Sequence, residues 1–315
     1  MPRFADTVRL NIVSPVPGTD DQIDIRVKVE ETNSGSFTFG VGYDVNSPLL
    51  SAIASDARGT VTFVQPKENV EVKVGQVFRR LSGPVLSDPK LTVTGSRGEV
   101  ETRLVKELLP NRMNDVFEGD QILILGQYQG NQPMHFKLGG SYLGEQKTFD
   151  FAFDPASASL RNSYVPRLWA SRKIAFLIDE IRRKGADNHT GRNPDPAMKE
   201  LVDEIVALST RYGILTEYTA FLALEDAPRV APAAVNDRVM RQMEASNAMR
   251  VGTDGASQEI NNAARKSQVV ANRANVYVDS KMKKVEITSV QQITDRTFFR
   301  RNGQWIDSSL VNRTE

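Results

Sequence analysis

The sequence predicts an α+β protein built from several domains, and three observations lead to this fold class. Residues 38–82 alternate between strand and helix patterns, as in a partial doubly wound α/β sheet. Residues 83–155 contain short strand patterns separated by glycine-rich turns, which is typical of an antiparallel β-sandwich. After residue 165, apolar residues recur at helical spacing and predict an α-helical hairpin.

The composition excludes several classes of function. The 315 residues suggest two or three domains, and a net charge of +1 gives no field that would attract nucleic acid. Cys is absent, so neither disulfides nor thiolate metal sites can form. No apolar run approaches the ~20 residues of a membrane span, and the first residues lack a secretory signal pattern.

The first 82 residues predict a hairpin followed by a strand–helix–strand–helix unit. Residues 22–30 alternate strictly between apolar and polar side chains, and residues 8–12 do the same, so they form an antiparallel pair. "FTFGVG" reads as a buried strand that Gly42 ends, and "TVTFV" as its parallel neighbour. Between them, Ser47 is the expected N-cap of a helix that Gly59 ends.

Residues 83–158 predict the β-sandwich. "LTVTG", "EVETRLVKEL", "DQILILGQYQG", "MHFKLGGSYLG" and "KTFDFAFD" are its expected strands. The alternation in "TFDFAFD" places Phe149, Phe151 and Phe153 on one face.

Residues 159–226 predict two antiparallel helices, 166–184 and 196–211, followed by an extended segment, "ILTEYTAFLAL". Arg167 is expected to pair with an acidic residue of the facing helix. The contact between the helices uses six large apolar side chains, namely Leu177, Ile178, Ile181, Leu201, Ile205 and Leu208.

The remaining residues divide into a linker and a tail. Residues 227–275 are rich in Ala, Asn, Gln and Arg and predict a poorly ordered linker, which proteases should cut first at Arg238, Arg241 or Arg250. Residues 276–315 predict a β-hairpin tail, with Asn302-Gly303 at its turn.

Five long stretches in order resemble bacterial relatives of the inter-alpha-trypsin inhibitor heavy chains. They are "TFGVGYDVNSPLLSAIA", "VGQVFRRLSGPVLSDPKL", "VFEGDQILILGQYQG", "VPRLWASRKIAFLIDEIR" and "LVDEIVALSTRYGILTEYTAFLALED". That family joins a vault/inter-alpha-trypsin β-sandwich to a von Willebrand factor type A domain. The resemblance implies that residues 1–82 are a truncated type A segment, that the sandwich lacks strands encoded upstream, and that relatives act outside the cytoplasm.

Type A domains bind ligands through a metal ion held by an Asp-x-Ser-x-Ser loop and two later loops. The nearest string here is Asp154, Ser157 and Ser159, whose spacing is one residue too long, so a plain turn is expected. Asp44, Asn46 and Ser47 follow the first strand of the parallel pair and are weak metal candidates. Their favoured role is helix capping, and neither a metal nor a cofactor is expected.

Catalytic patterns are also missing. His135 lies in a strand pattern and His189 in a polar loop, and neither has a nucleophile motif nearby. The leading hypothesis is therefore a non-enzymatic protein-binding or scaffold module of the cell envelope. Two alternatives stay open: a metal-dependent adhesion protein whose metal loop lies on a missing N-terminal part, and a hydrolase with an unrecognised site. The protein partner and the oligomeric state are left open.

Overall fold

A computed structural model describes residues 10–13, 24–27, 37–66, 68–78, 84–158, 162, 164–184, 196–224, 232–270, 272–293 and 296–311. It contains both helices and small sheets, so the α+β class is confirmed. The chain divides into two compact units, Met1–Ala158 and Ser159–Glu315. The predicted bounds of the individual domains remain predictions.

The first unit contains nine described strands and two helices. The strands are β1 (Leu10–Val13), β2 (Asp24–Val27), β3 (Phe37–Val41), β4 (Thr60–Val64), β5 (Ser87–Thr94), β6 (Val105–Leu109), β7 (Leu125–Tyr128), β8 (Met134–Tyr142) and β9 (Glu145–Phe153). The helices are α1 (Ser47–Asp56) and α2 (Val70–Phe78). β1 pairs antiparallel with β2, as predicted, and the rest of that predicted hairpin lies outside the described residues.

The strand–helix–strand unit has the predicted parallel pairing. β3 and β4 run parallel, with Phe37 opposite Thr60. Thr38 donates a hydrogen bond from its hydroxyl to the Leu50 carbonyl, at 3.1 Å, which ties α1 to the sheet. Glycine at position 40 allows a close approach, because a Cβ there would lie 2.8 Å from the Phe63 ring on β4 and 3.1 Å from the Leu50 side chain on α1. The strand is less buried than predicted, since Val41 is exposed.

Both predicted ends of α1 need correction by one residue. The N-cap is Asn46 rather than Ser47, because the Asn46 side chain accepts the Leu49 amide at 3.1 Å. At the other end Arg58, not Gly59, takes the left-handed conformation, with φ of 57°. Gly59 follows it and donates to the Ala54 carbonyl at 2.8 Å, which completes a Schellman-type end.

The remaining strands of the first unit form two antiparallel sheets, as the alternating patterns predicted. One sheet has the order β5-β8-β9, and the other pairs β6 with β7. Val93, Leu104 and Met134 form a buried cluster against which side chains of both sheets pack. The two sheets therefore face each other.

The second unit contains five helices and five strands among its described residues. The helices are α3 (Val165–Lys184), α4 (Pro196–Tyr212), α5 (Pro232–Ala248), α6 (Gly252–Lys266) and α7 (Ser308–Val311). The strands are β10 (Asn275–Val278), β11 (Lys284–Ile287), β12 (Val290–Ile293), β13 (Arg296–Arg301) and β14 (Gln304–Asp307). None of the described helices is long and apolar enough to cross a bilayer.

Helices α3 and α4 form the predicted antiparallel hairpin. Arg167, near the start of α3, donates to the carbonyl of Tyr212 at the end of α4, and Lys173 lies 3.4 Å from Glu204 midway along both. Five of the six predicted contact residues are buried, and Leu201 is half-buried. Arg167 bonds backbone carbonyls rather than the predicted acidic residue, and burial lowers its pKa to about 10.

The predicted linker is wrong, because residues 232–248 and 252–266 form the helices α5 and α6. On α5, Val239 and Met243 are buried. On α6 the buried side chains are polar, among them Glu259 and Asn262. The sequence pattern did not predict α6, because apolar periodicity detects only apolar faces, and the buried face of α6 makes ion pairs and hydrogen bonds.

The segment after α4 is compact rather than extended, which corrects another prediction. Gly213 ends α4 with φ of 60°, as predicted, and its missing side chain leaves room for Thr297, whose Cγ2 would lie 2.6 Å from a Cβ. The Thr216 amide then donates to the Thr219 hydroxyl at 2.9 Å, and a short 3-10 turn covers Ala220–Ala223. Hydroxyl-to-backbone bonds therefore replace the ladder bonds of a strand.

The C-terminal strands form two small sheets, one more than the single hairpin predicted. β10 pairs with β11, and β12, β13 and β14 form an antiparallel meander. Asn302 and Gly303 connect β13 to β14 with φ values of 48° and 78°, so the predicted Asn-Gly hairpin turn is confirmed.

Candidate binding cleft and edge strand

An apolar cleft of about 420 Å³ lies between the two sheets of the first unit. Leu91, Phe136 and Phe151 line it from the three-stranded sheet. Val105 and Tyr128 line it from the opposite sheet, together with Ile122 from the segment before β7. Among the described residues that line the cleft, none carries a charge. The cleft is therefore suited to apolar side chains.

Strand β9 forms one rim of the cleft and is unusually exposed. Its residues from Glu145 to Ala152 are all exposed, and only Phe153 is partly covered. Phe149 and Phe151 retain 49% and 56% of their accessible surface. Phe153 packs against Tyr128 across the cleft, with ring centroids 5.4 Å apart. The aromatic face of β9 is thus anchored at one end and open to solvent along the rest.

The outer edge of β9 offers hydrogen-bonding groups. β9 is the last strand in the order β5-β8-β9, and no described strand pairs with its other side. The two-residue turn Leu143-Gly144 has φ values of 52° and 83°, so Tyr142 and Glu145 form the hydrogen-bonded pair that closes the hairpin. Hydrogen-bonded pairs alternate along an antiparallel ladder. The backbone N–H and C=O groups that point outward therefore belong to Gln146, Thr148, Asp150 and Ala152.

Charged groups lie on both faces of β9, and on the aromatic face they are confined to its first residues. On the opposite face of the sheet, Asp150 lies 2.9 Å from His135 and 3.9 Å from Lys137. At the start of β9, Lys147 and Glu145 pair at 2.7 Å. These exposed pairs contribute little to stability.

The three weak metal candidates have different surroundings. Asp44 is exposed, and the Asn46 oxygen is used to cap α1. Ser47 is fully buried, and its hydroxyl has no partner among the described residues. No group of three acidic or His side chains converges anywhere in the described part of the chain. The structure therefore places Asn46 in the capping role.

Asp154 and Ser157 form the plain turn that was expected. The Asp154 carboxylate accepts the Ala156 amide at 2.9 Å, and the Ser157 hydroxyl donates to the Asp154 carbonyl at 2.8 Å. Ser159 and His189 lie outside the described residues. His135 faces Asp150 on an exposed sheet surface, with no described nucleophile bonded to it.

The second unit contains a buried polar cluster that the sequence did not reveal. Arg182 pairs with Glu259 at 2.8 Å, and Arg265 pairs with Glu217 at 2.9 Å. Tyr218 lies beside both pairs, and burial raises the pKa of its hydroxyl. Each arginine has one carboxylate partner, although Arg182 Nε and Nη2 and Arg265 Nη1 have no hydrogen-bond partner among the described residues. We assign the cluster to holding α6 in place.

Comparison with known proteins adds a distant relationship. The chain is 21% identical over 258 residues to a von Willebrand factor A domain-containing protein of Dictyostelium discoideum, which covers 79% of this chain and 26% of that protein. It is 22% identical over 201 residues to human von Willebrand factor A domain-containing protein 5A, covering 63% and 24%. The homologues of this chain are von Willebrand factor A domain proteins.

Inter-alpha-trypsin inhibitor heavy chains are among these homologues. Heavy chain 4 of Mus musculus is 22% identical over 219 residues, covering 65% of this chain and 21% of that protein. The chain thus spans about a quarter of the length of the relatives it matches. No family model matches it. A solved von Willebrand factor type A structure from Catenulispora acidiphila superposes with a TM-score of 0.30 at 14% identity, covering 69% of this chain and 57% of that one.

Sequence reasoning missed the cleft and the edge although it found the aromatic face. The alternation of "TFDFAFD" identified Phe149, Phe151 and Phe153, and the ladder confirms that they share a face. The position of β9 at the edge depends on the order of the strands. That order is a tertiary property that no local pattern encodes.

Proposed function

We propose that the chain is a non-enzymatic protein-interaction module that binds an extended segment along β9. One observation carries the proposal: β9 has two exposed aromatic side chains, Phe149 and Phe151, and no described strand pairs with its outer edge. A peptide strand added there satisfies its own backbone groups, and every second side chain enters the apolar cleft.

The chemistry of the cleft supports binding rather than catalysis. General acid–base catalysis needs a titratable side chain within hydrogen-bond reach of the substrate. The described lining is apolar apart from the Tyr128 hydroxyl, and the nearest His135 pair lies on the opposite face of the sheet. An apolar lining instead contributes affinity in proportion to the apolar area that it buries.

We further propose that the chain is a heavy-chain-like protein in which residues 37–78 correspond to part of a type A domain. The support is the five ordered stretches, the parallel β3–β4 pair with its crossover helix, and the matches to heavy chains at low identity. A bacterial origin and a place in the cell envelope are part of this proposal.

A displayed library of random 12-residue peptides tests the binding proposal. We expect selection on the full chain to enrich peptides with apolar residues at every second position, because only one face of an added strand meets the cleft. Phe151→Ser should abolish their binding. Phe78→Ser is the matched control, because Phe78 is 68% exposed on α2 and is not among the residues that line the cleft, so this variant should bind normally. The proposal is contradicted if the selected peptides lack this alternating pattern. It is also contradicted if Phe151→Ser and Phe78→Ser bind the selected peptides equally well.

A further inference from the structure

We propose that β9 also pairs antiparallel with β9 of a second copy of this chain, about a two-fold axis at Phe149. This inference rests on the proposed function, because it uses the same strand edge and names one occupant for it. The occupant is argued from three properties of the strand: its outward backbone groups, its pattern of charges and its aromatic face.

The outward backbone groups of two copies match each other. In a register centred on Phe149, Thr148 lies opposite Asp150 of the second copy and Gln146 lies opposite its Ala152. All of these residues point their N–H and C=O groups outward, so each opposed pair is a hydrogen-bonded pair. In this register all nine residues of β9 lie opposite residues of the second copy, and any shift lowers the number of opposed residues.

The charges on β9 disfavour two other registers. A shift that centres the pair on Asp150 places two carboxylates directly opposite each other, and a shift that centres it on Lys147 opposes two ammonium groups. Like charges directly opposite are destabilising. In the register centred on Phe149, Lys147 instead faces the exposed ring of Phe151, which is a favourable cation–aromatic pair.

The aromatic faces of two copies meet in this arrangement. A two-fold axis perpendicular to the sheet keeps Phe149 and Phe151 of both strands on one side, where the apolar clefts also lie. The two Phe149 side chains become direct cross-strand neighbours, and such aromatic pairs stabilise antiparallel sheets. Pairing therefore covers apolar surface that a single copy leaves in water.

Sedimentation equilibrium on the full chain tests self-pairing. We expect a reversible dimer in the wild type and a monomer in Thr148→Pro at the same concentrations. Proline removes the outward Thr148 N–H but no ladder bond to β8, and edge strands tolerate it at such positions. Thr148→Val is the matched control, because it keeps the N–H and the branched shape, and it should dimerise like the wild type.

Disulfide trapping tests the register, since the natural chain has no Cys. Phe149→Cys should form a disulfide-linked dimer on mild oxidation, because directly opposed residues lie within the Cα separation that a disulfide spans. Phe151→Cys should not form this disulfide, because position 151 of one copy lies opposite position 147 of the other copy. Equal trapping of both variants overturns the register.

A monomer at every concentration overturns self-pairing itself. If displayed peptides still bind such a monomer, the proposed function stands and only the second copy is excluded. If neither the second copy nor the peptides bind, both inferences fail.

Discussion

Glu259→Gln tests whether α6 is a core helix of the second unit. The Glu259 carboxylate lies 2.8 Å from Arg182, and the two side chains are 4% and 5% exposed. Gln keeps the shape but removes the charge, so the Arg182 guanidinium is left buried without an anion. Breaking one partner of a buried pair costs about 3–5 kcal/mol. That is a large share of the ~5–15 kcal/mol that stabilises a typical domain.

Urea unfolding followed by tryptophan fluorescence measures this cost. Both tryptophans of the chain, Trp169 and Trp305, lie in the second unit, so the signal reports that unit. Glu286→Gln is the matched control, because Glu286 is exposed on β11, and its cost should stay below about 0.5 kcal/mol. Equal, small costs for Glu259→Gln and Glu286→Gln would refute the reasoning, because α6 would then be solvated.

Four further outcomes are expected. Ile205→Ala should cost ~2–5 kcal/mol in the same urea assay, because Ile205 is fully buried between the helices, and a cost under ~0.5 kcal/mol would mean that this face is exposed. Limited proteolysis with trypsin should spare Arg238, Arg241 and Arg250 in the folded chain, because α5 holds the first two and Arg250 bonds the Arg182 carbonyl at 3.0 Å; early cleavage there would restore the linker interpretation. Tyr218→Phe should reduce the loss of stability at alkaline pH. In the wild type, the raised pKa of Tyr218 keeps its hydroxyl protonated in the folded state while the hydroxyl ionises in the unfolded state. The unfolding free energy of the wild type therefore falls by about 1.4 kcal/mol per pH unit above pH ~10. Identical slopes for the variant and the wild type would contradict that assignment. Calorimetric titration with Mg²⁺ or Ca²⁺ should show no site with a dissociation constant below ~100 µM, because the described residues bring no three acidic groups together, and a tighter site would revive the metal-dependent hypothesis.

The elements that the sequence predicted correctly are those whose signals are local. The helical spacing around Ile205 and the Asn302-Gly303 turn each depend on neighbours in the chain, and the structure has both as predicted. Helix α6 was missed because its buried face is polar. Glu259 and Asn262 are buried only because Arg182 and Asp179 on α3 bond to them, and those partners are distant in sequence.

The candidate site was predictable only in part, for a related reason. Alternation revealed the aromatic face of β9, but burial depends on what packs above it. Phe151 shares the predicted face, and it is 56% exposed. Conversely, Asn46 was considered as a metal candidate and instead caps α1.

Amide hydrogen exchange along β9, resolved by NMR, tests the central claim most directly. The claim is that this strand edge is open and binds a second strand. In a dilute monomer, the outward amides of Gln146, Thr148 and Ala152 should exchange rapidly, while the inward amides of Phe149 and Phe151 are protected by β8. Adding a selected peptide should protect the outward amides and leave the inward ones unchanged. Outward amides that are already protected in the dilute monomer, or that stay exposed with peptide bound, would contradict the account.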